Sequence, residues 1–104
     1  MSALEDTLAF QLRACKLPAP VREFRFCPSR RFRFDFAWPA QRVACEVQGG
    51  VWTQGRHTRG AGAERDAEKL SLAAVAGWRV LVVTEAHITS GAAFRWIEQA
   101  LTTA

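Results

Sequence analysis

The sequence predicts a small α/β domain, and three observations predict it. Leucines recur at helical spacing in the first segment. Phenylalanines then alternate with charged residues, which is the period of a strand. A β-branched run, RVLVVT, follows a second helical stretch. The elements read αβββαβα over 104 residues, a length that suits one domain, so residues 1–104 are taken as a single unit.

The first helix is expected from Ala3 to Cys15. Ser2 with Glu5 three residues later matches a capping box, and Leu4, Leu8 and Leu12 form one stripe. Pro18 and Pro20 end the segment. Phe24 and Phe26 alternate with Glu23 and Arg25, and Phe32, Phe34 and Phe36 alternate with Arg31, Arg33 and Asp35. Two strands are expected here, joined by a turn at Cys27-Pro28-Ser29-Arg30, with all the phenylalanines on one face. A second turn at Trp38 to Gln41 leads to a strand from Val43 to Gln48. Val43, Cys45 and Val47 face one way on it, and Ala44, Glu46 and Gln48 the other.

Gly49 to Gly62 is a polar loop rich in glycine and arginine. Ala63 to Ala76 reads as a second helix with Ala67, Leu70 and Ala74 as its apolar stripe, and Gly77 stops it. Arg79 to Thr84 is expected to be a buried central strand, parallel to the third strand through a crossover. Trp78 is expected to pack between the second helix and this strand. Ser90 is placed as the cap of a final helix carrying Phe94, Ile97 and Leu101 on one face.

Nearly half the residues are hydrophobic, which excludes a disordered chain. No apolar run approaches the roughly 20 residues of a membrane helix, and no signal-peptide pattern opens the sequence. A cytoplasmic protein with no membrane partner is expected. The net charge of +4 is carried almost entirely by arginine, since only Lys16 and Lys69 are lysines. Arginine's planar fork suits phosphate, although a high-GC genome produces the same bias. The three cysteines, Cys15, Cys27 and Cys45, lack disulfide or zinc spacing and are expected to be small buried hydrophobes.

The strongest chemical signal is a pair of acids on consecutive strands. Asp35 lies on the non-phenylalanine face of its strand, and Glu46 and Gln48 share the non-aliphatic face of the next. A hairpin allows all three to point to one side of the sheet. Two converging carboxylates are what Mg²⁺ requires, with waters and a substrate phosphate completing the octahedron. The competing arrangement pairs Asp35 with Arg33 or Arg42, and Glu46 with another arginine.

Four stretches together resemble a known family. Ser2-Ala3-Leu4-Glu5 opens the first helix, and Phe34-Asp35-Phe36-Ala37 carries the first acid. Glu46-Val47-Gln48-Gly49-Gly50-Val51-Trp52 carries the second. Glu64-Arg65-Asp66 then runs into Gly77-Trp78-Arg79-Val80-Leu81-Val82-Val83. The set resembles the PD-(D/E)XK nucleases and, more closely, the very-short-patch-repair endonucleases and their small uncharacterised relatives. The resemblance implies a restriction-endonuclease-like core, a small mixed sheet flanked by helices, and metal-dependent cleavage of DNA. Compact nucleases of this sort are similar to phage-encoded ones.

Residue by residue, the resemblance implies that Asp35 and Glu46 bind Mg²⁺ or Mn²⁺ and that the Val47 carbonyl adds a ligand. Gln48 stands where most of the superfamily has lysine, and it can orient the attacking water. Lys69 is then the candidate for the missing cation; its alternatives are pairing with Glu64 or facing water. Glu5 orients a metal-bound water in this reading, beside its capping role. His57 is a general acid or base, a phosphate contact, or a loop histidine with no role. Arg56 and Arg59 contact phosphates from the glycine-rich loop, Trp52 stacks on a base or packs under the loop, and Arg31 and Arg33 extend the basic surface. The expected function is a metal-dependent endonuclease acting on DNA. The alternatives are an inactive nucleic-acid-binding module of the same fold, or a junction- or flap-specific nuclease working as a homodimer.

Overall fold

The computed structural model describes residues 2–48 and 61–103. Helix α1 (Ala3–Ala14) leads into strands β1 (Val21–Arg25), β2 (Arg33–Trp38) and β3 (Val43–Gln48). Helix α2 (Ala61–Val75), strand β4 (Arg79–Thr84) and helices α3 (Glu85–Thr89) and α4 (Ala92–Thr102) follow. Helix α3 has no counterpart in the expected order. Its five residues make little more than one turn, too short for periodicity to register. Ser90, expected to cap the final helix, is the C-cap of α3. The N-cap of α4 is Gly91 at φ 85°, where an added Cβ would meet Arg95 and Phe94 side-chain atoms at 3.1 and 3.2 Å.

The strands form one mixed sheet in the order β1-β2-β3-β4, with β1–β2 and β2–β3 antiparallel and β3–β4 parallel. The RVLVVT strand is therefore an edge strand, not a central one. Only Val83 on it is buried, and Val82 is 37% exposed. Both faces of β4 touch helices, so both parities are apolar, while its outer hydrogen-bonding edge has no strand partner among the described residues. An apolar run reports covered faces; it does not report whether a strand has one neighbour or two.

Helices cover both sides of the sheet. Leu8 and Leu12 of α1, Ile88 of α3, and Ala93 and Ile97 of α4 pack with Phe36, Trp38, Val43, Cys45 and Val83. On the other side Phe34, Ala37 and Ala44 pack with Ala73 of α2, Trp78, Phe24 and Phe26. Burying each phenylalanine contributes about 1.5–3 kcal/mol. The phenylalanines thus do not share one face: Phe34 and Phe36, both fully buried, lie in different layers. The cause is local. Glu23 adopts φ 53°, and the paired positions Arg22↔Phe36 and Phe24↔Phe34 skip the Glu23 and Asp35 level between them. Both strands change faces there, so simple alternation fails on either side of Asp35.

Two further expectations are corrected. The sheet-facing residue of α2 is Ala73, while Leu70 is 40% exposed and Ala67 and Ala74 are exposed. Lys69, one turn before Ala73, shares the inward stripe, with its ammonium 5.7 Å from the centre of the Phe34 ring. Its aliphatic stem covers apolar surface, so a stripe counted from apolar residue types alone misses it. Among the cysteines only Cys45 is buried; Cys15 is exposed and Cys27 half-buried, and all three are free. No helix among the described residues is long and apolar enough to cross a membrane.

Candidate active site between β2 and β3

Asp35 and Glu46 are tied together through the backbone. The Asp35 amide donates to Glu46 Oε2 at 3.0 Å, and the Val47 amide donates to Asp35 Oδ2 at 2.8 Å. Each acid thus accepts a hydrogen bond from the strand that carries the other. The two acids are thus linked through the backbone of neighbouring strands.

The two carboxylates nevertheless lean to different layers, which corrects the expectation that Asp35, Glu46 and Gln48 share one side. Asp35 lies with Glu5 of α1 and Glu23 of β1, one carboxylate oxygen of each within 4.8 Å of the other two. Glu46 turns toward α2, where Lys69 Nζ donates to its Oε1. The change of parity at Asp35 is the physical reason.

Neither arginine named as a rival partner takes Asp35: Arg33 lies 3.9 Å from Glu23, and Arg42 sits over Trp78. Glu46 pairs with a lysine, not an arginine, and Lys69 pairs with Glu46, not Glu64. The side chains of Lys69 and Glu46 are 16% and 20% exposed. Burial pushes the Glu46 carboxyl above its ordinary range, and the adjoining ammonium only partly offsets that shift. Burial likewise pushes the Cys45 thiol well up, with the Asp35 and Glu46 charges adding to the effect.

Glu46, Val47, Gln48 and Lys69 line one cleft of about 190 Å³ together with Asp66 and Leu70. Four expected site residues thus share a cavity at the C-terminal end of β3. Glu5 makes half of the capping box, since its amide donates to Ser2 Oγ at 3.1 Å. Its carboxylate reaches instead toward Arg22, 3.4 Å away, and Asp35. Arg31 and Arg33 are exposed and line a separate hollow with Arg25. Trp52, Arg56, His57 and Arg59 lie outside the described residues.

Glu23 and Asp66 stand at the site without having been expected there from sequence. For Glu23 the signal existed. The Arg30 amide donates to the Cys27 carbonyl at 3.2 Å, closing the expected turn, and the hairpin it sets brings Glu23 level with Asp35. For Asp66 the signal was helical spacing, which puts it one turn before Lys69. Comparison with family models, with curated proteins and with solved structures returns no match to this chain.

Proposed function

We propose that this chain is a divalent-metal-dependent nuclease that hydrolyses DNA phosphodiester bonds. The observation that carries the reading is that Asp35 and Glu46 each accept a hydrogen bond from the strand bearing the other, while Lys69 of α2 donates to Glu46. The nuclease signature asks for two acids and a lysine, and Gln48 breaks that pattern along the chain. Lys69 restores the ammonium from a helix.

The donor set is hard oxygen, which suits Mg²⁺ or Mn²⁺ and not a thiolate-seeking metal. Asp35 would hold the cation with Glu23 beside it and Glu5 within reach, in place of the expected Glu46 and Val47 carbonyl, because Glu46 turns to the other layer and pairs with Lys69. Such an ion supplies Lewis acidity and lowers the pKa of a bound water. The chain's own groups do the rest. Lys69 places a positive charge beside the cleft, where it offsets charge developing on the phosphate. The Val47 amide fixes Asp35, and Glu5 reaches the same carboxylate from α1 to orient water. Gln48 is exposed at the cleft mouth, where its amide can hydrogen-bond the substrate.

The test is incubation with duplex, single-stranded and branched DNA across Mg²⁺ and Mn²⁺, with Asp35→Ala alongside. Wild type should cut, and the variant should lose at least about 10²-fold in rate with unchanged circular dichroism. Equal activity from the variant would remove Asp35 from the mechanism. The second reading, an inactive nucleic-acid-binding module, is favoured by one feature: Lys69 and Glu46 neutralise each other. A wild-type chain that binds DNA and cuts none of the three substrates in either metal would establish it.

A further inference from the structure

We propose that the hollow lined by Arg25, Arg31 and Arg33 binds a phosphodiester group of the nucleic-acid strand next to the one at the cleft. The inference rests on the nucleic-acid reading above and turns the expected Arg31 and Arg33 surface into a defined phosphate site completed by Arg25. Arg25 and Arg33 are registered partners across the β1–β2 hairpin, and Arg31 lies two residues before Arg33. The three side chains share one hollow of about 160 Å³, with no carboxylate among its described lining residues.

The hairpin sorts its arginines into two kinds. Arg30 is committed elsewhere, with its fork on Glu68 at 2.6 and 2.9 Å and its guanidinium over the Phe32 ring. Arg25 donates to the Arg30 carbonyl at 3.4 Å, which orients it. Arg33 forms a long ion pair with Glu23 at 3.9 Å, with both side chains about half exposed. Three guanidinium groups share the hollow against one exposed carboxylate partner, so a positive excess remains that a seated anion would offset. Guanidinium forks match the oxygens of a phosphate in geometry as well as charge. Arg33 stands two residues from Asp35, about 7 Å along an extended strand. A strand held in the hollow would thus run directly toward the Asp35 level. Arg25, which repetition of arginine along β2 does not mark, joins the hollow from across the hairpin.

The experiment measures binding of a labelled DNA duplex by fluorescence anisotropy over a range of salt, without divalent metal so that nothing is cut. Replacing all three residues with glutamine should weaken binding at low salt at least tenfold. It should also make the slope of log K against log salt shallower by about 0.9 for each phosphate no longer neutralised. The triple Arg→Lys variant should keep most of the slope while binding more weakly, because charge remains and the fork is gone. Arg30→Gln with Glu68→Gln should leave the slope unaltered. A wild-type slope in the triple glutamine variant overturns the proposal, as does a wild-type chain with no salt-dependent binding. The readout stands apart from catalysis. A shallower slope in a protein that cuts nothing in Mg²⁺ keeps the hollow and discards the nuclease. Cleavage by wild type, with an unchanged slope in the variant, does the reverse.

Discussion

Replacing Lys69 with methionine tests the energetics of the candidate site without reference to any substrate. The change keeps most of the aliphatic stem over Phe34 and removes only the ammonium that donates to Glu46. Losing one partner of a fully buried ion pair costs about 3–5 kcal/mol, because the other charge is stranded. Here the two side chains are 16% and 20% exposed, so water reaches the orphaned carboxylate and it can take up a proton. The expected loss at neutral pH is therefore smaller, about 2 kcal/mol, or a fall in Tm on the order of 10 °C. The pH dependence carries the sign. Burial already raises the Glu46 carboxyl, and Lys69 opposes that shift, so the variant's carboxyl rises further. A carboxyl raised on folding contributes stability that is present below its unfolded pKa and lost as pH rises through the folded value. The deficit of the variant should be smallest near the ordinary glutamate pKa, about 4.3, and grow as pH rises to neutrality and above. Urea unfolding followed by circular dichroism at several pH values measures it. Adding Glu46→Gln should restore most of the stability and flatten the dependence. A deficit independent of pH, or a double variant no better than Lys69→Met, would show that the pair is not what couples α2 to β3.

Two more predictions concern the scaffold. Lys16 occupies φ 58° just past α1, with its amide donating to Arg13 and that of Leu17 to Leu12, which is the bonding of a Schellman cap. Lys16→Gly should therefore stabilise the protein by about 1 kcal/mol in thermal melts, since glycine takes that conformation without a Cβ clash; a lower Tm would contradict this. Alkylation of the native protein should label exposed Cys15 first and spare Cys45, whose thiol is buried and held in its neutral form. Equal labelling of the two, read by peptide mass spectrometry, would show that the Phe36–Trp38 layer opens readily.

Much of the fold was legible because it depends on short-range chemistry. The α1 stripe, the 27–30 turn, the Val43–Gln48 strand and the Gly77 stop all follow from spacing within a few residues. The parallel pairing of β3 and β4 followed from a helix lying between them. The misreadings share one origin: they needed information about neighbours distant in sequence. Strand period placed every phenylalanine on one face, but a left-handed Glu23 turns the β1–β2 ribbon over at Asp35. The apolar content of β4 showed that helices cover it and was silent on which strand it would pair with.

For the site, the sequence by itself determined the inventory: two acids on consecutive strands, a glutamine two residues after the second, and a lysine on the following helix. The tertiary structure alone decided how those groups are distributed. It sent Asp35 toward Glu5 and Glu23, sent Glu46 toward α2, and rotated α2 so that Lys69 meets Glu46. The reason is that helix rotation and strand parity respond to the packing of Phe34, Ala73 and Trp78 as a unit, a balance over many atoms that no local window contains.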